Sequence, residues 1–206
     1  KAVGDGQLVS SGASQLKNLD DYYSDMGKAS ESEKEEDPMS ELEKQQKEEQ
    51  QKSTEQLYSD IVEKTEENRL QDSVQVSMDN SYQYVMISLS GGILFDSGSA
   101  DIRSGALPII SRVGDILKSY TNKRIKIEGH TDNVPIGSTS KYSSNWELST
   151  ARATSVLQYL QQKKGLNVKY LEASGRASVD PVADNKTQSG RSKNRRVEIK
   201  IYSNND

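Results

Sequence analysis

Hydrophobic and polar positions divide the chain into a polar first part and a patterned remainder. Residues 28–56 consist of Glu, Lys, Gln and Ser with almost no apolar side chains. Such a segment cannot offset its ordering entropy by burial, so it is either a disordered spacer or a solvated helix. From residue 56 onward, apolar side chains recur at helical or strand spacing. The pattern therefore predicts a globular region that follows a polar, extended tether.

The spacing of apolar side chains within the globular region predicts individual elements. Alternating patterns predict strands at 74–78, 84–89, 125–129, 168–174 and 195–202. Apolar side chains recurring every three to four residues predict helices at about 54–69, 105–120 and 144–163. Ser144 fits the N-cap of the last helix, with Glu147 three residues later, and Gly165 fits its C-terminal cap.

The order of these elements predicts the fold class. Two strands, a helix, a strand, a helix and two strands follow the first helix. Because helices alternate with strands, we expect an α/β fold of the α+β type: a two-layer sandwich with a mixed sheet and helices on one face. The chain then divides into a weakly patterned segment at 1–27, an acidic low-complexity linker at 28–56, a linker helix at 57–73 and the folded domain at 74–203.

The charge distribution agrees with this division and narrows the class of ligand. Residues 28–56 hold ten acidic and five basic side chains, whereas residues 57–206 hold 20 basic and 17 acidic ones. A net charge of +3 over the last 150 residues suits an anionic polymer only weakly, and nucleic-acid binders usually carry denser basic patches. We therefore predict no nucleic-acid partner.

Several kinds of chemistry lack the residues they need. The absence of cysteine excludes disulfides, thiolate metal sites and a cysteine nucleophile. His130 is the only histidine, and no further ligands stand at metal-binding spacing, so we expect it to orient a strand-to-loop turn. No phosphate-cradling glycine motif is present, and no apolar run approaches the ~18–20 residues that span a bilayer. We predict no metal and no cofactor.

Three runs carry the most specific signal. They are EGHTDNVPI at 128–136, SNWELSTARA at 144–153 and GRSKNRRVEI at 190–199. Together they resemble the OmpA-like peptidoglycan-binding domain over about residues 75–202. The Pro135-Ile136 pair and the NWELS run are most similar to the MotB family of flagellar stator subunits.

Two charged residues of these runs can meet at one rim. Asp132 follows the predicted strand end at Gly129 by three residues, and Arg152 lies two turns into the following helix. A carboxylate accepts hydrogen bonds from an ammonium, and a guanidinium grips a carboxylate. Asp132 and Arg152 therefore match a zwitterionic ligand. The alternative is a structural ion pair between the two.

The family resemblance implies what that ligand is. It implies the diaminopimelate of peptidoglycan stem peptides, with Asp132 and Arg152 as the main contacts. It also implies that Leu148 and Ser149, in the same motif as Arg152, shape the pocket wall and that Asn194 and Arg195 form another edge. The residues that the resemblance assigns to the pocket are Thr131, Asp132, Asn133, Leu148, Ser149, Arg152, Asn194 and Arg195.

The resemblance also implies a role and partners. It implies a noncatalytic anchor of a flagellar motor stator that holds a torque-generating ion channel to the cell wall, outside the cytoplasmic membrane. A MotA-like channel subunit would pair through an N-terminal membrane helix that is absent here, and the domain would form a homodimer. Residues 8–26 would be the candidate for a gating plug. We expect Lys1 to be a cut end within a longer protein.

Two alternatives remain open. One is a generic OmpA-like wall anchor without a motor. The remote one is a peptidoglycan hydrolase that would use Glu128, Asp132 and Glu147 as paired carboxylates. Glu147 is better explained by the helix cap, and Glu128 by an exposed strand position.

Three further side chains carry simpler expectations. Trp146 lies on the apolar stripe of its helix and is expected to be a core anchor rather than a ligand stacker. Arg195 and Arg196 alternate along a strand, so one of them is expected to face solvent.

Overall fold

The computed structural model describes residues 38–138 and 140–204. The chain divides into two units, residues 1–44 and 45–206, and the domain described below belongs to the second. The predicted weakly patterned segment at 1–27, including the candidate plug, lies outside the described residues, as does the part of the acidic linker at 28–37.

A mixed sheet of five strands forms the centre of the domain. The strand order is β1-β2-β5-β3-β4, in which β3 and β4 are parallel and the other neighbouring pairs are antiparallel. This arrangement confirms the predicted α+β fold. The elements are α1 (Pro38–Glu67), β1 (Val74–Met78), β2 (Tyr84–Ser90), α2 (Gly91–Leu94), α3 (Leu107–Leu117), β3 (Ile125–His130), α4 (Asn145–Lys164), β4 (Leu171–Gly175), α5 (Gln188–Asn194) and β5 (Arg196–Tyr202).

The core lies between one face of the sheet and the helices. Alternate residues of the three central strands point into it, as a period of two requires. Apolar side chains of α3 and α4 cover them at helical spacing. The buried side chains include Val85, Ile87, Leu89, Ile125, Ile127, Val197, Ile199 and Ile201 from the strands and Val113, Ile116, Val156 and Leu160 from the helices.

Helix α1 is longer than the predicted helix at 54–69 and begins at Pro38. Its second half belongs to the domain, because Leu57 and Ile61 are buried in the core. The Thr54 hydroxyl, also buried, donates to the Tyr82 carbonyl oxygen at 2.5 Å. Residues 45–49 are exposed and polar. This part of the acidic segment is therefore a solvated helix rather than a disordered spacer.

Helix α4 begins and ends at the predicted caps. The Ser144 hydroxyl accepts a hydrogen bond from the Glu147 backbone N–H at 3.2 Å. The Glu147 carboxylate returns to the Ser143 N–H at 2.6 Å, one residue earlier than in a standard capping box. Gly165 ends the helix with φ +68° and donates to the Gln161 carbonyl oxygen at 3.1 Å.

Two glycines let α4 lie directly on the sheet. Gly129 and Gly175 are paired neighbours on the parallel strands β3 and β4. A Cβ on Gly129 would lie 2.1 Å from the Ser149 carbonyl oxygen, and one on Gly175 would lie 2.3 Å from the Thr150 hydroxyl oxygen. Only glycine allows this approach, which fixes the first turns of α4 against the strand ends.

Several local predictions were wrong for identifiable reasons. The segment predicted as a strand at 168–174 begins as a 3₁₀ turn at Val168–Tyr170, because the Asn167 side chain accepts from the Lys169 N–H, and β4 starts at Leu171. Helices α2 and α5 were not predicted because each is too short to show a helical period. Among the described helices, only α1 and α4 have bilayer-spanning length, and both are too polar to cross a membrane.

The sheet face opposite the helices buries charged side chains. Glu128, predicted to be exposed, and Glu198 are 4% and 5% exposed. Lys126 contacts Glu128 at 2.8 Å, and Arg196 contacts Glu198 at 2.7 Å. Of the two arginines expected to alternate, Arg196 is buried in this network, whereas the Arg195 side chain is 36% exposed and its guanidinium is held by a carboxylate. The opposite charges in these contacts compensate one another. Charged side chains can therefore be buried in strands whose sequence pattern predicts one exposed face.

Candidate functional site

A cleft of about 500 Å³ opens where β2 and β3 end and β5 begins. Its walls come from four separate stretches of chain: residues 91–98, 131–137 with Ser140, 145–152 and 188–195. Helix α2 with the loop after it, the loop after β3, the start of α4 and helix α5 each supply one wall. We refer to this feature as the cleft.

Asp132 supplies the carboxylate of the cleft from the loop that follows β3. Its Oδ1 accepts a hydrogen bond from the Val134 N–H at 3.0 Å, which closes a turn in that loop. Its Oδ2 accepts from Arg195 Nη1 at 2.5 Å. The Asn145 side chain donates to the Val134 carbonyl oxygen at 2.9 Å and so ties the loop to the start of α4. Asp132 is thus held in place from two sides.

Arg152 enters the cleft from α4 and is 4% exposed. Its Nε donates to the Ser99 carbonyl oxygen at 2.8 Å and its Nη2 to the Asp96 carbonyl oxygen at 3.2 Å. The guanidinium carbon lies 5.1 Å from the centre of the Phe95 ring. Burial lowers the pKa of Arg152, and the nearby Arg195 lowers it further, while Asp132 opposes them.

The alternative of an Asp132–Arg152 ion pair is wrong. The Asp132 carboxylate pairs with Arg195, and within the described part of the chain Arg152 has no carboxylate within ion-pair distance. A buried cation held by neutral carbonyls and an aromatic face retains its attraction for an anion. Arg152 can therefore bind a carboxylate, which none of the described residues supplies.

The charges around the cleft can contact both the carboxylate and the ammonium of one ligand. Three arginines line it, Arg152, Arg191 and Arg195, against the two carboxylates of Asp96 and Asp132. Guanidinium groups bind carboxylates with two parallel hydrogen bonds, and a carboxylate accepts from an ammonium. The arrangement can therefore orient a zwitterionic group by both of its charges.

The eight predicted pocket residues occupy different places. Thr131, Asp132, Leu148, Arg152 and Arg195 line the cleft. The other three do not, since Asn133 is exposed on the same loop, and Ser149 and Asn194 are fully buried.

Ser149 and Asn194 shape the cleft from behind. The Ser149 hydroxyl accepts from the Ala177 N–H at 3.0 Å and donates to the Trp146 carbonyl oxygen at 3.0 Å. The Asn194 amide oxygen accepts from the N–H groups of Val182 and Ala183 at 2.8 and 2.9 Å. Both side chains fasten loops to the elements that carry Arg152 and Arg195, and neither forms a pocket edge.

Sequence reasoning missed part of the lining. Phe95, Gln188 and Arg191 all face the cleft. Arg191 lies within the GRSKNRR run that carried the resemblance, so its charge and position could have predicted that it lines the cleft. Phe95 is the only phenylalanine of the chain, but no pattern linked it to Arg152, which lies 57 positions later.

Glu128, His130 and Glu198 form a buried cluster on the opposite sheet face. Their potential ligand atoms lie within 4.8 Å of one another. Glu128 already contacts Lys126 and Lys200, and Glu198 contacts Arg196. A metal ion would have to compete with three fixed cations, so these residues fit an ion-pair network and not a metal site. His130 Nε2 lies 3.4 Å from a Glu198 oxygen and therefore belongs to this network.

The pKa of Glu198 follows from these surroundings. Burial by itself would raise the pKa of this carboxyl group. The contact with His130 and the Arg196 guanidinium outweigh burial and lower the pKa of Glu198 to about 2. Glu128 follows the same pattern, since Lys126 and Lys200 overcome its burial and lower its pKa.

Known proteins resemble the chain in sequence and in structure. Residues 94–195 match the OmpA family. Motility protein B of Bacillus subtilis is 36% identical over 151 residues, which cover 73% of this chain and 57% of that protein. The chain therefore spans little more than half the length of this relative.

Two solved structures share the fold. The cell wall anchor of the T6SS from Pseudomonas aeruginosa is 32% identical with a TM-score of 0.62, covering 70% of this chain and 97% of that one. The periplasmic domain of Helicobacter pylori MotB is 27% identical with a TM-score of 0.58, covering 63% of this chain and 82% of that one. The chain, through the domain that carries the cleft, belongs to the OmpA family.

Proposed function

We propose that this domain is a noncatalytic anchor that binds peptidoglycan through diaminopimelate-type stem peptides. The observation that carries the proposal is the pairing, in one cleft, of the oriented Asp132 carboxylate with a buried Arg152 that has no anionic partner of its own among the described residues. A carbon bearing both an ammonium and a carboxylate satisfies the two groups at once.

The ammonium of the ligand would bind at Asp132, and its carboxylate at Arg152. Arg195, already hydrogen-bonded to Asp132, would hold the aspartate ionised and correctly turned. Each charge-assisted contact contributes ~1.5–3 kcal/mol before ordering costs are subtracted. Affinity per site is therefore expected to be micromolar or weaker, and firm attachment would come from many sites on one wall.

The carboxylates considered for hydrolysis support a noncatalytic role. Glu147 serves the cap of α4, and Glu128 lies in the ion-pair network on the opposite sheet face. Glu128 and Glu147 are therefore not available to Asp132 as the second acid that a glycosidase mechanism requires. The other carboxylate of the cleft, Asp96, contacts Arg103 at 3.6 Å. Release of labelled fragments from peptidoglycan by the pure protein would contradict this part of the proposal.

The similarity to motility protein B and to MotB supports a motor stator as the setting of this anchor. In that setting, a preceding membrane helix would pair with a MotA-like channel subunit, and the domain would work as a homodimer outside the cytoplasmic membrane. The T6SS cell wall anchor supports the second candidate, a wall anchor that serves another machine. Co-purification of the full-length gene product with a MotA-like protein would favour the stator, and its failure would favour the general anchor.

Binding to insoluble peptidoglycan tests the anchor itself. Asp132→Asn and Arg152→Lys each keep the size of the side chain and change its charge or fork geometry. We expect each to reduce the fraction of protein sedimented with peptidoglycan at least tenfold. Glu172→Gln on β4 and Arg112→Lys on α3 make the same chemical changes at exposed positions outside the cleft.

The controls define the outcome that would contradict the proposal. The two control variants should sediment like the unaltered chain. Retention of binding by both cleft variants, with unchanged thermal unfolding, would remove the cleft from the binding site.

A further inference from the structure

An exposed aromatic side chain stands beside the cleft. Trp146 is 52% exposed, so the expectation that it anchors the core was wrong. The reason lies in the helix, because Trp146 is in the first turn of α4, at the edge of the face that Leu148, Ser149 and Arg152 bury, and its side chain extends beyond the core. Trp146 contributes to a shallow surface that we name the shelf, lined chiefly by Tyr142, Trp146, Glu147, Thr150, Thr154 and Ser155.

The chemistry of the shelf suits a sugar. Apart from Ala151, the lining around the two aromatic rings consists of hydroxyl side chains and one carboxylate. An indole face is large, rigid and electron-rich, and it attracts the polarised C–H groups on the apolar face of a pyranose ring. The Glu147 carboxylate and the threonine hydroxyl oxygens retain capacity to accept hydrogen bonds from sugar hydroxyls.

A protein partner is a poorer match for the shelf. Stable protein interfaces bury roughly 800 Å² on each side around an apolar centre. The shelf offers one exposed tryptophan, and its neighbours on α4 are threonine, serine and glutamate. A narrow aromatic platform with a polar rim favours a ligand that is itself narrow and rich in hydroxyl groups.

The shelf continues into the cleft. Asn145 and Leu148 line the cleft, and Trp146 and Glu147 line the shelf, all within the first turn of α4. Tyr142 lines the shelf, and Ser140, two residues earlier in the same loop, lines the cleft. One ligand can therefore reach both surfaces if it carries charged peptide groups next to a sugar.

We propose that the shelf binds the glycan strand of the polymer whose stem peptide enters the cleft, with Trp146 stacking on an N-acetylhexosamine ring. This inference rests on the proposed function and adds a second, separable site to it. The cleft would recognise the charges of the peptide, and the shelf would recognise the apolar face of the sugar.

Intrinsic fluorescence tests the shelf directly, because Trp146 is the only tryptophan of the chain. The full chain is titrated with peptide-free glycan strands and, separately, with the free diaminopimelate-containing stem peptide. We expect glycan strands to change the emission of the indole and to bind at least tenfold more weakly to Trp146→Ala by calorimetry. Trp146→Phe, which keeps an aromatic face, should recover most of the affinity.

Matched variants separate the shelf from the cleft. Gln158→Ala alters an exposed residue of α4 outside the shelf and should bind glycan like the unaltered chain. Asp132→Asn should lose the stem peptide and keep the glycan, and Trp146→Ala should do the reverse. Unchanged emission with glycan strands, or equal glycan affinity of Trp146→Ala and the unaltered chain, would overturn the shelf while leaving peptide binding in the cleft untouched.

Discussion

Charged residues are buried on the sheet face opposite the helices, and they make the stability of the domain sensitive to acid. Glu198 has a pKa lowered to about 2 from the ordinary value of 4.5, and the pKa of Glu128 is lowered as well. A lowered pKa in the folded state means that the charged form stabilises the fold. That contribution is complete above pH ~4.5 and disappears as the pH falls toward 2.

We expect the free energy of unfolding to fall by up to about 3 kcal/mol between pH 4.5 and 2 on account of Glu198. Urea unfolding at a series of pH values measures this change. Glu198→Gln should lower stability at neutral pH and flatten the acid limb. Glu172→Gln, at an exposed position on β4, should leave the limb as it is. If the free energy of unfolding fell equally steeply with pH in Glu198→Gln and in the unaltered chain, Glu198 would not be the source of the acid sensitivity.

Single residues also show what sequence could and could not predict. The motif placed Asp132 and Arg152 at one site, and the structure brings both into the cleft. Their partners could not be inferred, because Arg195 lies 63 positions from Asp132 and the contact depends on the sheet register. Trp146 was misplaced because a helical stripe does not show that its first member lies past the edge of the core, where Trp146 is 52% exposed.

At the scale of elements, the paired glycines of β3 and β4 determine where α4 lies. A methyl group at Gly129 would overlap the Ser149 carbonyl oxygen, a backbone atom that cannot move without the helix. We expect Gly129→Ala to destabilise the domain by about 1–3 kcal/mol, as overpacking of a tight core does. Urea unfolding measures the loss, and peptidoglycan sedimentation shows whether displacement of α4 also disturbs the cleft.

A control glycine lies close by in the same region. Gly137 has nothing within 4 Å of its would-be Cβ and sits in the loop after β3. Gly137→Ala should therefore change stability by less than about 0.5 kcal/mol. Similar losses for both variants would show that backbone freedom, rather than close approach, accounts for the effect at Gly129.

Helices and strands were predictable where they are long enough for their apolar side chains to show a helical or strand period. The alternation in β1, β2 and β5 and the caps of α4 gave nearly the observed bounds. The short helices α2 and α5 show no such period in the sequence. These two helices supply cleft residues, so the least predictable elements are also among those that build the site.

At the scale of the whole molecule, the second half of α1 acts as part of the domain. Leu57 and Ile61 are in the core, and the Tyr120 hydroxyl donates to the Asp60 carboxylate. Residues 40–44, by contrast, are exposed. Removing the exposed part should cost little, and removing the packed part should expose a strip of the core.

We expect a chain that begins at Gln45 to unfold thermally like the full chain and to sediment with peptidoglycan to the same extent. A chain that begins at Asn68 should lose several kcal/mol of stability, because each buried leucine or isoleucine contributes ~1.5–3 kcal/mol. Differential scanning calorimetry compares the three chains. A large loss from the shorter deletion would place structural contacts within residues 1–44.

The sheet cannot be complete without β5, the last of its strands along the chain. β5 is the last strand along the chain, yet it lies between β2 and β3 at the centre of the sheet, and Arg195 directly precedes it. Without β5, the pairs β1-β2 and β3-β4 have no strand to join them. A chain truncated before Arg195 would therefore lack both the centre of the sheet and one charged side chain of the cleft wall.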